Sequence, residues 1–284
     1  MQLPAVSYIA RVKFSDWRGL AEPLEVSRIV DALSKSARSW LRQVEVFEEI
    51  DSTNLHLTRI AAHGSIDGRV ALAEFQTHGR GRRGRSWSGT AGSNVALSIG
   101  HSVDVPVAKV GALSLVVGLA VADALDCAGI GGVGLKWPND IMLGTGKLGG
   151  ILIELIDAAP PAHVVIGVGI NVQLDPATRA AIPNEVAAIA DVRAGLDRSR
   201  LAGALISRIH EFTRAFAESG FARFRPLWES LNVHRGRVVE VIAGDMRTSG
   251  RVCGVTDAGE LRLDTAAGEM TFNSGEVSLR VSND

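Results

Sequence analysis

From Val107 to Gly132 the chain is apolar on nearly every side, its only charges being Lys109, Asp123 and Asp126. A segment of that kind has to be hidden. A bilayer-spanning helix needs about 20 mostly apolar residues, and the three charges break that run. The window is therefore predicted to be a core helix over Ala108–Cys127, apolar all round and covered by other elements on more than one side. With 284 residues the chain can build that cover in one or two domains.

The cover is read from the strands around it. Val70–Phe75, Asn94–Ile99, Gly134–Trp137, Lys147–Leu155 and Val164–Val172 are short apolar or alternating runs bounded by turn residues. Gly144-Thr145-Gly146 reads as a hairpin turn before Lys147. Helical patterning is predicted for Leu24–Leu41, for a short helix opening at Asp51-Ser52-Thr53-Asn54, for Arg198–Glu218 and around Phe221–Leu231. Val6–Phe14 hints at one more strand. After Arg235 the texture changes to five short strands, Val238–Ile242, Gly250–Thr256, Glu260–Leu263, Met270–Asn273 and Val277–Arg280, separated by Gly/Asp turns. The predicted fold class is α/β of the α+β type, with a mixed sheet flanked by helices. The expected division is a short extension over 1–43, a catalytic domain over 44–234 and a small β-barrel over 235–284.

Charge excludes some functions. Lys plus Arg is 30 against 31 for Asp plus Glu, so no global field recruits nucleic acid or a membrane surface. Cys127 and Cys253 lie far apart and fit no metal or redox spacing, as suits reduced thiols in the cytoplasm. Residues 1–14 lack the basic start and apolar run of a signal peptide.

Three segments carry chemistry. Gly79-Arg80-Gly81-Arg82-Arg83-Gly84-Arg85 sets four arginines among three glycines. Glycine allows close backbone approach, and arginine supplies forked donors for phosphate or carboxylate; a nucleic-acid patch or a solvated loop is the plainer reading. The G-x-G-x-x-G match inside it is discounted, because Ser86-Trp87-Ser88-Gly89 continues as a loop where that fingerprint needs a helix. Lys136-Trp137-Pro138-Asn139-Asp140, followed by Lys147-Leu148-Gly149-Gly150, sets two lysines and a carboxylate where they would bracket a phosphate and its metal ion. Gly167-Val168-Gly169-Ile170-Asn171 is a strand whose alternate glycines admit a close neighbour, either a helix or a flat ligand.

In this order, with Asp51-Ser52-Thr53-Asn54 and Glu74-Phe75-Gln76-Thr77-His78 ahead of them, these segments resemble the biotin protein ligase family. Gly275-Glu276-Val277-Ser278-Leu279-Arg280 is similar to the end of that family's SH3-like barrel, so the resemblance runs from about residue 45 to the C-terminus. It implies that ATP activates biotin as biotinyl-5′-AMP, with Mg²⁺, before transfer to a lysine of a biotin carboxyl carrier domain. Ser52, Thr53 and Gln76 would hold the biotin rings, with Asn54, Gly79 and Gly149 beside them. Arg80, Gly81 and Arg82 would close over biotin and the adenylate. Lys147 would touch the biotin carboxylate and the α-phosphate; Lys136 and Asp140 would serve the triphosphate and the metal. Arg83, Arg85, Trp87 and Asn171 would face the nucleotide.

Only about 50 residues precede the Ser-Thr-Asn segment, short for a winged-helix DNA-binding domain, so a ligase without repressor function is expected. Pro176–Asp197 carries no aromatic residue for the adenine. The rivals are a lipoate or octanoate ligase, and a DNA-binding repressor using the arginine loop. A monomer or a homodimer in the cytoplasm is expected, without membrane attachment.

Overall fold

The structure, a computed structural model, describes residues 7–11, 21–243, 245–273 and 277–281. Eight strands form one mixed sheet: β1 (Ser7–Arg11), β2 (Gln43–Ile50), β3 (Arg69–Gln76), β4 (Asn94–Val103), β5 (Val133–Lys136), β6 (Asp140–Leu143), β7 (Gly146–Asp157) and β8 (Ala162–Asn171). Their order is β1-β2-β3-β4-β8-β7-β6-β5. The first three run parallel and every later pairing is antiparallel. Parallel strands need crossovers. Here α1 (Val26–Asp31) and α2 (Lys35–Trp40) lie between β1 and β2, and α3 (Thr53–Ala61) between β2 and β3.

Register decides what each face of the sheet carries. One row runs Leu97, Val168, Ile151 across β4, β8 and β7, and these side chains are buried. The helices α4 (Leu113–Cys127) and α6 (Arg198–Ser219) cover that face; Gly118 of α4 sits over Leu135 and Ile151. Within Val107–Cys127, a stretch long and apolar enough to cross a membrane, 67% of the most apolar window is buried inside the protein. Each Leu or Val so hidden stabilises the fold by about 1.5–3 kcal/mol. Its first turn departs from the prediction: Val107–Ala112 is a 3-10 turn, and the α-helix begins at Leu113.

The single helix predicted over Leu24–Leu41 is two, because the Ser34 hydroxyl accepts from the Ala37 amide at 3.2 Å and caps a new helix. Both pack on α6. Leu24, Ile29, Val30, Leu33, Ala37 and Leu41 enter the main core, so this part of residues 1–43 shares the layer of the strands that follow. A fully buried ion pair ties it in: Arg198 meets Glu74 at 2.8 Å and donates to the Glu22 carbonyl, while Glu74 accepts from the Leu24 amide.

The C-terminal strands β9 (Val238–Ala243), β10 (Met246–Val255), β11 (Leu261–Thr265), β12 (Gly268–Phe272) and β13 (Val277–Val281) form an antiparallel sheet in the order β12-β11-β10-β9-β13. The turn spacing predicted a small all-β unit here, and the family resemblance gave it as an SH3-like barrel; its five strands pair in this one sheet. Two hydrogen bonds are among the contacts that fasten it to the larger unit. Trp137 donates its indole N–H to the Gly259 carbonyl at 3.1 Å. Glu229 of α7 (Arg225–Leu231) accepts from the Val255 amide at 3.4 Å. Gly259 is required there, because a Cβ would stand 2.9 Å from that of Ala112, and its φ is +82°.

Candidate functional site

The sheet face away from α4 and α6 has glycines at its centre, placed there by β7 and β8. Its rows read Ser98, Gly167, Leu152 and then Ala96, Gly169, Gly150, Asp140, Lys136. A Cβ on Gly167 would stand 2.2 Å from Asn54 Oδ1, and one on Gly169 would stand 2.5 Å from Trp87 Cε2. The glycines thus let Asn54 and the Trp87 indole lie directly on the backbone. Trp87 Nε1 is buried there without a hydrogen-bond partner among the described residues.

A polar corner stands at one end of this floor. Ser52 caps α3, which turns Thr53 and Asn54 inward; all three are buried. The Gln76 side-chain oxygen, at the end of β3, accepts from the Thr53 amide at 2.9 Å and the Thr53 hydroxyl at 3.2 Å. The Ser98 hydroxyl lies 2.7 Å from Thr53 Oγ1 and 2.5 Å from Asn54 Oδ1. With Oδ1 so occupied, the Asn54 amide donates to Glu154 Oε2 at 2.8 Å.

The arginine segment is a hairpin closed on itself. Trp87 donates its amide to the Gly79 carbonyl at 2.8 Å, and Gly81 donates to the Arg85 carbonyl at 2.7 Å. A Cβ on Gly79 would meet the Trp87 oxygen at 2.2 Å, so only glycine allows this closure. At the tip Arg82–Gly84 form a 3-10 turn with Arg83 at φ 58°, and no α-helix begins there, in agreement with the discounted fingerprint. Arg80 pairs with Glu154 Oε1 at 2.9 Å, and Arg82 donates to Asn139 Oδ1 at 3.4 Å. Burial lowers the Arg82 pKa from its usual value, opposed by the charge of Asp140 and reinforced by Arg85 and Arg83. Arg83 and Arg85 are exposed on the hairpin. A cavity of about 410 Å³ lies against residues 75–81 and 84–89.

The cationic end follows from a short hairpin missed in the sequence. Asp140–Leu143 is itself a strand, pairing with β5 so that Asp140 faces Lys136, and with β7 so that Asp140 faces Gly150. Lys147 meets Asp140 at 2.5 Å and stands over Gly150. Its backbone is clasped by the segment that follows α5 (Pro176–Ala181). Lys147 donates to the Glu185 carbonyl at 2.9 Å, and its own carbonyl accepts from Ala187 at 3.0 Å. Asn139 donates to the Ile151 carbonyl at 2.8 Å, fixing the turn that carries Arg82's contact.

The structure therefore gathers Ser52, Thr53, Asn54, Gln76, Arg80, Arg82, Trp87, Lys136, Asp140 and Lys147 around one glycine floor. Two expected residues sit differently. Asn171 spends its amide N–H groups on the Ala187 carbonyl at 3.1 Å and the Lys147 carbonyl at 3.4 Å, behind the lysine. Gly149 packs against the Gly169 carbonyl and Ile170, and it is Gly150 that opens on Lys147 and Trp87. Ser98, Asn139 and Glu154 were not singled out from sequence. Two of them left a signal: Asn139 lies within the Lys136–Asp140 motif, and Glu154 is a carboxylate inside the apolar run 148–155.

Comparison with known proteins bears on this arrangement. The chain matches the biotin/lipoate A/B protein ligase family over residues 46–171, and the biotin protein ligase C terminal domain over 234–280. It is 38% identical over 272 residues to the biotin–[acetyl-CoA-carboxylase] ligase of Mycobacterium tuberculosis, covering 91% of this chain and 96% of that one. It is 36% identical to the bifunctional ligase/repressor BirA of Escherichia coli, covering 84% and 74% of the two chains. The structure of biotin protein ligase from Aquifex aeolicus in complex with biotin and ATP superposes with a TM-score of 0.72 at 27% identity, over 84% of this chain and 99% of that one. Two family matches spanning both sheets, and a relative matched over nearly its whole length, place this chain in the biotin protein ligase family.

Proposed function

We propose that this chain activates biotin with ATP and transfers it to a lysine of a biotin carboxyl carrier domain, in the cytoplasm. The observation that carries the reading is the convergence of the polar corner, the arginine hairpin and the Lys147–Asp140 pair on a single glycine floor. Ser52, Thr53, Asn54 and Gln76 offer the paired donors and acceptors that a cyclic urea needs. Lys147, Arg80 and Arg82 offer cations for a carboxylate and a phosphate that must meet although both are anions.

The chemistry asks for positioning and charge neutralisation. A biotin carboxylate oxygen attacks the α-phosphorus and pyrophosphate leaves, forming the mixed anhydride biotinyl-5′-AMP. Lys147 is assigned to the oxygens that gain charge in that step, with Lys136 at the β,γ end and Trp87 against the base. The arginine hairpin, held by Glu154 and Asn139, shields the anhydride from water. The carrier lysine amine then attacks the acyl carbon, AMP leaves, and the amine proton passes to solvent. Arg83 and Arg85, exposed beside this region, are assigned to the nucleotide's outer face, and Asn171 to holding the Lys147 strand.

Among the described residues no group of three or more His, Cys, Asp or Glu is placed to hold a metal. A lone carboxylate suits Mg²⁺ bound mainly by phosphate oxygens and water, so Asp140 would be its protein contact. When bound, the ion supplies neutralisation of the triphosphate. The two inward-turned arginine contacts favour a ligase over a DNA-binding role for the hairpin. Residues 44–234 are proposed as the catalytic domain and 235–284 as a separate barrel. The test is ATP-dependent labelling of a purified biotin carboxyl carrier domain with biotin, read by streptavidin blot. No labelling by folded protein overturns the reading.

A further inference from the structure

An unbroken run of polar contacts joins the polar corner to the arginine hairpin, passing through Gln76, Thr53, Ser98, Asn54, Glu154 and Arg80. Gln76 and Arg80, at its two ends, line the same cavity of about 410 Å³. Ser98, at its centre, is fully buried, with its hydroxyl 2.7 Å from Thr53 Oγ1 and 2.5 Å from Asn54 Oδ1. A hydroxyl carries one proton, so the bonds along the run cannot all point either way.

The direction is set at the charged end. The Glu154 carboxylate accepts from Asn54 Nδ2 at 2.8 Å, and the Leu152 carbonyl lies 3.5 Å from the same nitrogen. A flipped amide would set Oδ1 against a carboxylate and a carbonyl together, so Oδ1 faces Ser98. An amide oxygen has no proton to give. The proton in the 2.5 Å contact is therefore that of Ser98, and Ser98 Oγ is left to accept from the Thr53 hydroxyl. The other acceptor near that hydroxyl, Gln76 Oε1, is 3.2 Å away, beyond the range of about 2.5–3.0 Å usual for O–H···O bonds. With the Thr53 proton committed to Ser98, Gln76 Oε1 keeps the bond from the Thr53 amide at 2.9 Å. That bond fixes which end of the Gln76 amide is the oxygen, and a carbonyl oxygen has a second lone pair. Gln76 is half-buried on the cavity wall, where a ligand can use it.

We propose that Ser98 is a positioning residue for ligand choice: by drawing the Thr53 proton away from Gln76, it keeps Gln76 Oε1 an open acceptor and selects an acid whose far end carries an N–H. The proposal rests on the biotin reading above and deepens it, because it names what makes the corner refuse an alkyl or dithiolane end. A cyclic urea supplies the N–H. Lipoate and octanoate have none there and would leave the oxygen unpaired, which a polar site penalises strongly. Without the Ser98 hydroxyl, Thr53 is free to turn its proton to Gln76, and the corner is satisfied with no ligand present.

The test uses the full chain with Ser98→Ala and Ser98→Cys, the thiol being a weak donor of similar size. Dissociation constants are measured by calorimetry for biotin and for the two lactam analogues in which one or the other urea N–H is replaced by CH2. The wild type is expected to bind biotin roughly tenfold more tightly than at least one lactam. Ser98→Ala should bind biotin roughly five- to tenfold more weakly, with that preference reduced to about twofold or less. Ser98→Cys should fall between the two. In exchange assays the loss should fall on the KM for biotin rather than on kcat. General damage to the corner weakens biotin and lactam alike, so an unchanged ratio in the variants overturns the proposal. Wild-type affinity for biotin in Ser98→Ala overturns it as well; should that variant not fold, Ser98→Cys gives the ratio. A wild type that binds lipoate or octanoate and not biotin overturns the biotin reading together with this proposal, so the two failures are told apart.

Discussion

Glu154→Gln is the sharpest perturbation of the site short of its lysines. Glu154 accepts from two donors that face it from different elements, Arg80 Nη1 at 2.9 Å and Asn54 Nδ2 at 2.8 Å. The Asn54 amide has little freedom to flip, because its oxygen faces the Ser98 hydroxyl at 2.5 Å. A carboxylate satisfies both donors. An amide of the same shape satisfies one and turns its own N–H groups on the other. Arg80 is partly exposed, so its ion pair alone is worth about 1 kcal/mol or less. The hydrogen bond to a charged group at the buried Asn54 adds about 1.5–3 kcal/mol. A loss of about 2 kcal/mol corresponds to roughly a 30-fold shift away from the docked hairpin. The assay is release of biotinyl-5′-AMP in a single-turnover chase, alongside urea unfolding. Faster escape of the adenylate with a lowered urea midpoint is expected, and Arg80→Met in the Glu154→Gln background should add little further escape. Wild-type retention and an unchanged midpoint would refute the idea that Glu154 holds the hairpin.

Lys147→Ala should lower adenylate formation by roughly 10²–10³-fold; the partly exposed Lys147–Asp140 pair contributes about 1 kcal/mol or less, so circular dichroism should show a folded protein. Gly169→Ala puts a methyl carbon 2.5 Å from the Trp87 ring. The indole has to move, at a cost of about 1–3 kcal/mol, and both tryptophan emission and exchange activity should change; an unaltered spectrum would contradict the packing. Acid should destabilise the fold through its buried histidines. His210 is held down to about 4 and His101 below its usual value, chiefly by burial. Both are therefore neutral when folded and titrate near 6.5 when unfolded. Their contribution is complete above pH 6.5 and is lost as pH falls toward 4, about 3 kcal/mol for His210 alone. Urea midpoints between pH 7 and pH 4 check this, and His210→Gln, which can still donate to His101, should flatten the slope.

The elements legible in the sequence were those whose signal is local. Gly/Asp turns at short spacing marked all five barrel strands, and the charge-poor run through Leu113–Cys127 marked the central helix. The motif residues were legible as a set, and the sheet register does bring most of them to one face. What stayed hidden depends on contacts distant in the chain. Leu24–Leu41 has a continuous helical pattern, and the local cap at Ser34 that breaks it is backed by the Ser34 amide donating to Ser207 of α6 at 2.9 Å. Glu154 on a strand reads as a solvent-facing charge until Arg80 and Asn54, 74 and 100 positions away, are laid against it. Asn171 was given to the nucleotide only by the family resemblance; that its amide N–H groups go to the backbone that seats Lys147 depends on a segment 16 residues further along the chain.

The central claim is that the glycine floor, its cations and its polar corner select biotin for adenylation. It is tested most directly by pyrophosphate–ATP exchange with the purified protein and Mg²⁺, comparing biotin, lipoate and octanoate as the acid. The account predicts exchange with biotin alone. Exchange driven only by lipoate or octanoate, or by none of the three, would contradict it.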